Sequence, residues 1–330
     1  VVRQRHESTA TLADVARRAG VSMATASRAL SPRGSASDST RLRVAAAARE
    51  LGYLPNPAAR ALATRTGTRI AVVVGGHTAH VLNDPYVARV AAATASVAAS
   101  RDVGVSLHWL PLHDPGGLGR LTENRDVGGI IVVNPTEPAL ATVPRSARGR
   151  VAAIGIGSRD VPSFDVDNAT GTTNVLEHLL ATGRRRIAMI TGPDWLPCTR
   201  RALTAYHRAT EAAGTPPRLV PGDFTATRGH HATTEILTRW PDTDAIFALG
   251  DLSALGALDA LRHRGVDVPG DIAIAGFDDL PYATLSHPPL TTTTNPVEPI
   301  TTAAATTLLD RQTAPPLTLY PSTLIPRAST

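Results

Sequence analysis

The chain has 330 residues, 42% apolar but only 4% aromatic, with 33 basic against 28 acidic side chains. That length allows two or three domains with cores of Ala, Val, Leu and Ile, and no apolar run reaches the roughly 20 residues a membrane span needs. The opening residues lack an apolar signal-peptide core, and the single cysteine, Cys198, excludes an internal disulfide framework, so a cytoplasmic protein is expected.

The charge is uneven. Residues 1–70 hold twelve arginines against four acids, Glu7, Asp14, Asp38 and Glu50, a net of +8, while the remainder stands at −3. A basic head on a mildly acidic body points to an anionic partner for the head alone. Every basic residue is arginine, with no lysine anywhere, which reads as compositional bias and carries no functional assignment.

In chain order, residues 1–10 read as a disordered lead. Residues 11–54 read as short helices broken by turn signals. In "TLADVARRAGVSMATASRAL", Thr11-x-x-Asp14 fits a capping box, and Gly20 can take the left-handed conformation that ends a helix within one residue. Ser22 can cap a second helix, with Ala26 and Ala29 inward. The small residues let the two helices approach closely across a steep turn, which defines a helix-turn-helix. A polar loop follows, and "TRLRVAAAARELGY" predicts a third helix ending at Gly52. Residues 55–68 read as a linker containing one short helix.

From Arg69 onward, short β-branched runs alternate with Ala- and Leu-rich helical stretches. "RIAVVV", "GVSLHWL", "GGIIVVN", "VAAIGIG", "RRIAMIT", "DAIFALG" and "IAIAGFD" are the predicted strands. Such alternation predicts α/β architecture with doubly wound parallel sheets. Its length predicts two similar lobes with a cleft between them.

In a helix-turn-helix, the start of the second helix enters the DNA major groove. Arg28 can fork onto guanine N7 and O6. Met23 and Ala24 supply apolar contact, for example to a thymine methyl, whereas Ser22, Thr25 and Ser27 suit phosphates, which position the helix without reading sequence. A small helical bundle with a merely polar face is the alternative reading of the same pattern.

"TLADVARRAGVSMATASRAL", "STRLRVAAAARELGYLPNPAARALAT", "FDVDNATGTTNVLEHLLATGRRRIAMITGP", "IAIAGFDDLPYATLSHPPLTTTTNP" and "LIPRAST" stand in the order and spacing of the LacI/GalR transcriptional regulators, which this chain resembles from Thr11 to Thr330. The resemblance implies a helix-turn-helix head (11–54), a hinge helix (55–68) and a periplasmic-binding-protein-like core (69–330). The N-lobe would comprise about 69–164 and 295–319, and the C-lobe about 165–294 and 320–330. It further implies a homodimeric repressor of a sugar or other carbon-source operon, bound to a pseudo-palindromic operator and released, or in fewer cases recruited, by a small-molecule effector. No cofactor is implied. Met23, Ala24 and Arg28 fall where the family reads bases. Asn56, Ala59 and Leu62 fall on the hinge helix, with Leu62 at the position of a wedge between central base pairs; an ordinary linker leucine is the alternative. Tyr86, Arg200, Phe224, Gly250 and Asp278 fall at effector-contacting positions. Tyr86 and Phe224 could instead be core aromatics, Arg200 the partner of a nearby acid, and Asp278 a turn residue. Ser31, Ala36, Arg184, Gly250 and the loop "GGHTAHVLND" depart from the family pattern, so an atypical effector is expected. The chain ends without a heptad tail, which favours a dimer over a tetramer.

Enzyme motifs are missing. "GIGSRD" at Gly155 has Asp160 where a dinucleotide-binding loop needs its third glycine, and there is no P-loop, Gly-x-Ser-x-Gly elbow or HExxH. His230-His231 lacks metal-site spacing. The competing non-enzyme reading is a sugar-binding receptor without DNA function, which the basic head argues against.

Overall fold

The structure is a computed structural model and describes residues 10–30, 34–54 and 68–330. The chain forms two units, 1–68 and 69–330. In the first, helix α1 (Leu12–Ala19) begins at a closed capping box. The Asp14 N–H donates to the Thr11 hydroxyl at 3.3 Å, and the Thr11 N–H donates to the Asp14 carboxylate at 3.0 Å. Gly20, at φ 64°, ψ 42°, ends the helix in the left-handed region where a side chain would be strained. Ser22 caps α2 (Met23–Leu30), its hydroxyl accepting the Thr25 N–H at 3.1 Å. Ser37 caps α3 (Asp38–Glu50), and Gly52 follows with positive φ just past its C-cap, Leu51. The helices close on Val15, Ala16, Ala26, Ala29, Val44, Ala47 and Ala48. Five of these seven are alanines, so the helices need little space between them.

The second unit holds two parallel sheets. The first comprises β1 (Arg69–Gly76), β2 (Gly104–Pro111), β3 (Val127–Val133), β4 (Val151–Ile154), β5 (Ser163–Val166) and, from the chain's end, Leu317–Tyr320. Its order runs 317–320, β5, β4, β3, β1, β2. Side chains alternate strictly. Ile70, Val72, Val74, Ile131 and Val133 pack under α4 (Pro85–Ala99) and the helix Val297–Leu309, while Ala71, Val73, Ile130 and Val132 pack under α5 (Gly116–Glu123) and α6 (Glu137–Ala141). Both faces are covered, which is why these strands read as continuous apolar runs.

The second sheet follows α7 (Asn168–Ala181). Its strands are β6 (Ile187–Ile190), β7 (Arg218–Val220), β8 (Ala245–Ala248) and β9 (Ala273–Ala275), in the order β7, β6, β8, β9. Helix α8 (Pro197–Ala212) lies with α7 on one face; α9 (Ala226–Arg239) and α10 (Asp251–His263) cover the other. After α11 (Pro281–Leu285), β10 (Thr292–Thr293) pairs antiparallel with the closing strand Leu324–Ile325. The remaining elements are then α12 (Val297–Leu309), β11 (Leu317–Tyr320) and β12 (Leu324–Ile325). The chain therefore leaves or re-enters the first sheet three times, after β5, after β10 and after β11.

All seven predicted strands form. Strands β5, β7 and β10 to β12 escape the sequence reading: they are two to four residues long and, unlike the equally short β4, β6, β8 and β9, do not lie in a longer apolar run. The β5–β11 ladder runs through Val166 and Tyr320, so both sheet-one strands extend slightly past the lobe limits implied by the resemblance.

Candidate functional site

The first unit presents one exposed row. Ser22, Met23, Ala24, Ser27 and Arg28 face solvent on α2, Thr25 is half-buried, and Ala26 and Ala29 are buried against α1 and α3. Met23 is 58% exposed, an apolar side chain with no packing role of its own size there. The Ser22 hydroxyl is engaged in capping and lies 2.9 Å from the Thr25 hydroxyl. The Arg28 Nε donates to the Ala24 carbonyl at 3.3 Å, so its guanidinium folds along the helix. Asn56, Ala59, Leu62 and Ser31 lie outside the described residues.

In the second unit a cleft opens at the carboxyl ends of both sheets' strands, where open α/β folds place ligands. Tyr86 at the start of α4, Phe224 after β7, Gly250 after β8 and Asp278 after β9 all line it. Of the five expected residues, Arg200 alone does not. It is solvent-exposed on α8, and the side chain that turns inward is its neighbour, Arg201. One residue of helix is a rotation of about 100°, enough to exchange the two faces.

Arg201 holds a polar wall in place. Its Nη2 donates to the Asp165 carboxylate and, at 2.9 Å, to the Asn168 side-chain oxygen. Burial pushes the Asp165 carboxyl up to about 6, against the pull of Arg201. On the facing side, Asn295 donates to Asp278 Oδ1 at 2.9 Å. Burial raises the Asp278 carboxyl well above the usual carboxylate range, and the nearby Asp251 raises it further. Asp84 caps α4 by accepting the Tyr86 N–H at 2.9 Å, and burial raises its carboxyl as well. Burial chiefly, then the fields of Asp165 and Asp278, push the Tyr86 phenol upward, which records how close these groups stand. Burial also pushes the Cys198 thiol up to about 12, leaving it protonated and inert.

The aromatic floor is built by glycines. A Cβ on Gly192 would stand 2.3 Å from Phe224 Cζ, and one on Gly250 would stand 3.1 Å from Phe224 Cδ1 and 3.9 Å from Asp278 Oδ2. Phe224 therefore lies in a seat cut by two missing side chains, with the Asp278 carboxylate at its edge. Asn134, Phe224 and Asp278 line the cleft at positive φ, 52°, 69° and 113°. Non-glycine residues in this region concentrate at binding sites, where surrounding structure holds the strain.

Sequence reasoning missed Asp84, Asp165, Arg201, Asn295 and Gly192. Asp84 carried a signal, since Asp-Pro opens a helix, and Asp165 and Asn168 sit inside "FDVDN". Gly192 and Asn295 carried none that local pattern could expose. His230 hydrogen-bonds Asp259 across α9 and α10 at 3.1 Å. Among the described residues no three His, Cys, Asp or Glu side chains converge as a metal cage.

A compact helical head with one exposed reading face, joined in one chain to a two-sheet core with a polar, aromatic-floored cleft, defines a class: regulators that couple DNA recognition to ligand sensing. Comparisons with known proteins agree. Residues 11–56 match the model of bacterial regulatory proteins of the lacI family, and residues 176–330 match that of periplasmic binding protein-like domains. The HTH-type transcriptional regulator CelR of Thermobifida fusca is 35% identical over 318 residues, 92% of each chain. The HTH-type transcriptional repressor CytR of Escherichia coli K12 is 30% identical over 318 residues, 93% of this chain and 91% of its own. Among solved structures, the lac repressor dimer bound to operator and the anti-inducer ONPF superposes with a TM-score of 0.83 at 27% identity, covering 98% of this chain and 99% of its own. A CelR–cellobiose complex gives 0.71 at 30% identity over 97% of this chain and 100% of its own. The chain belongs to the lacI family of bacterial regulatory proteins. It is a ligand-responsive, DNA-binding transcriptional regulator.

Proposed function

We propose that the protein represses transcription by binding a pseudo-palindromic operator as a homodimer, and that a small hydroxyl-rich metabolite, a sugar or close relative, releases it. Helix α2 is the reading element, with Met23, Ala24 and Arg28 at base edges and Ser22, Thr25 and Ser27 at phosphates. Tyr86, Phe224, Gly250 and Asp278 form the effector site, with Asp165, Asn168 and Asn295 as its polar wall. Arg201 takes the inward place expected of Arg200. The hinge assignment of Asn56, Ala59 and Leu62 rests on the resemblance alone.

The observation that carries the reading is the cleft: aromatic side chains together with carboxylates and amides line it, a mixture that suits a ring whose faces are apolar and whose edges bear hydroxyls. The operator-bound lac repressor dimer and the cellobiose-bound CelR support the DNA, dimer and ligand assignments by likeness. The role is non-catalytic, in keeping with regulators as relatives, and is exercised in the cytoplasm where the operator lies. No helix among the described residues is long and apolar enough to cross a membrane.

Ligand and DNA affinities are linked reciprocally, and a coupling of ~1–3 kcal/mol changes occupancy about 5- to 150-fold. Mobility shift on the gene's own upstream DNA, with excess unrelated duplex as competitor and with and without a sugar panel, tests the reading. A sequence-specific complex released by one sugar is expected. Binding that is sequence-blind and unaffected by every panel member would refute it.

A further inference from the structure

The cleft is lopsided in charge. Asp84, Asp165 and Asp278 line it, and no arginine, lysine or histidine does, in a protein with 33 arginines. The guanidinium of Arg201 is not among the lining groups and is already taken up by Asp165 and Asn168. Arg89 is held by Glu298 at 2.8 Å and reaches Asp278 through its backbone carbonyl. An independent observation points the same way. Asn295 is 8% exposed and lines the cleft, and its side-chain oxygen is buried without a hydrogen-bond partner while its nitrogen serves Asp278. A buried acceptor left open costs free energy until a donor arrives. The wall thus offers acceptors to a ligand and no cation to balance an anionic one. The faces of Phe224 and Tyr86 add to this preference, since aromatic faces attract positive charge.

We propose that the cleft is a charge filter: it takes a hydroxyl-rich ligand that is uncharged or carries a basic nitrogen, and it rejects the phosphorylated form of the same sugar. The inference rests on the reading of this cleft as the effector site and adds the class of effector. A phosphate ester brings a dianion into a desolvated wall of carboxyl groups that holds no cationic side chain to receive it. An amino group replacing a hydroxyl meets carboxylates and ring faces. The filter separates transported or extracellularly released sugars from the phosphorylated pool made after uptake, so the class of reaction whose substrates this protein senses lies before phosphorylation.

Isothermal titration of the full-length protein with matched triplets tests this, using glucose, glucosamine and glucose 6-phosphate, and the corresponding forms of cellobiose, galactose and ribose. In the triplet that binds best, the amino form is expected to bind at least as tightly as the parent and the phosphate about tenfold more weakly or worse. Asp84→Asn, which preserves the helix cap, should narrow the phosphate penalty. A phosphate form that binds as well as its parent, with binding weakened about tenfold or more in Phe224→Ala, overturns the filter while leaving the effector site in place. No binding by any triplet, or binding that Phe224→Ala leaves undiminished, overturns both the site and the filter.

Discussion

The head and the core treat charge in opposite ways. In the head, Asp14 is held on the surface by the Thr11 hydroxyl and backbone N–H, which pull its carboxyl below the usual range, with Arg17 adding to them. In the core, Asp251 is fully buried at the start of α10, and burial pushes its carboxyl up to about 7 despite the Thr292 hydroxyl at 2.6 Å and the Leu280 N–H at 2.7 Å. Surface carboxylates of the first kind stabilise a small helical unit by capping it. Buried carboxylates of the second kind cost stability and shape a cleft instead.

That contrast gives opposite pH dependences, the largest effect expected. Between about pH 4 and 7 folded Asp251 keeps a proton that the unfolded chain releases, so the folded core binds more protons and loses stability as pH rises through this window. Asp165, raised to about 6, acts in the same direction. A carboxyl moved from 3.8 to about 7 corresponds to a few kcal/mol at most. Asp14 has the reverse sign: its contribution is present above the unfolded value and is lost as pH falls below it. All three tryptophans, Trp109, Trp195 and Trp240, lie in the core, so their fluorescence isolates it. Urea midpoints followed by tryptophan emission should fall from pH 5 to pH 8, and Asp251→Asn should flatten the fall. Equal slopes in both proteins would show that Asp251 is ionised throughout.

Next in size is the separation of the two sites. Phe224→Ala removes the floor of the cleft and leaves α2 untouched. Loss of a buried phenyl contact is worth ~1.5–3 kcal/mol, so ligand affinity should drop about 10- to 150-fold with operator affinity unchanged, as read by titration calorimetry and by mobility shift. Arg28→Ala does the converse. It should cost ~1–3 kcal/mol of discrimination at one base pair of each half-site, seen as relaxed preference in a binding-site selection, while calorimetry with ligand is unaltered. A change in the same direction at both sites from either substitution would merge what the structure keeps apart.

The two sites also differ in how far the sequence discloses them. The reading face of α2 is one continuous helix, so periodicity placed Ala26 and Ala29 inward and Met23, Ala24, Thr25, Ser27 and Arg28 on or near the outer face; all but the half-buried Thr25 are exposed. Caps at Thr11 and Ser22 and the exit at Gly20 were legible for the same reason: each depends on residues within four positions. The cleft draws single residues from loops spread between Asp84 and Asn295. No local pattern joins Asp165 to Arg201 or Gly192 to Phe224. Only family resemblance placed Tyr86, Phe224, Gly250 and Asp278 together, and it also named Arg200, which the structure leaves exposed while its neighbour Arg201 turns inward. The sheets were legible where a strand sat in a continuous apolar run, as in β4 and β9, and silent where polar residues or prolines break the run, as in β5 and β7.

The smallest expected effect tests the fit of the floor. Gly250 departs from the family pattern, and the structure supplies a reason in the ring beside it. A methyl at this position would sit 3.1 Å from Phe224 Cδ1, a tight contact relieved if the ring yields a few tenths of an ångström. The helix α10 that follows needs no positive φ here, since Gly250 is extended at φ 164°, so alanine meets no backbone strain. Gly250→Ala should therefore fold normally and weaken ligand only about two- to fivefold, under ~1 kcal/mol. Gly192→Ala is the harsher comparison, because its methyl would fall 2.3 Å from Cζ and the ring, itself strained at positive φ, has to leave its seat. If both substitutions weakened ligand equally, the ring would not be resting on Gly192, and the floor of the cleft would have to be drawn differently.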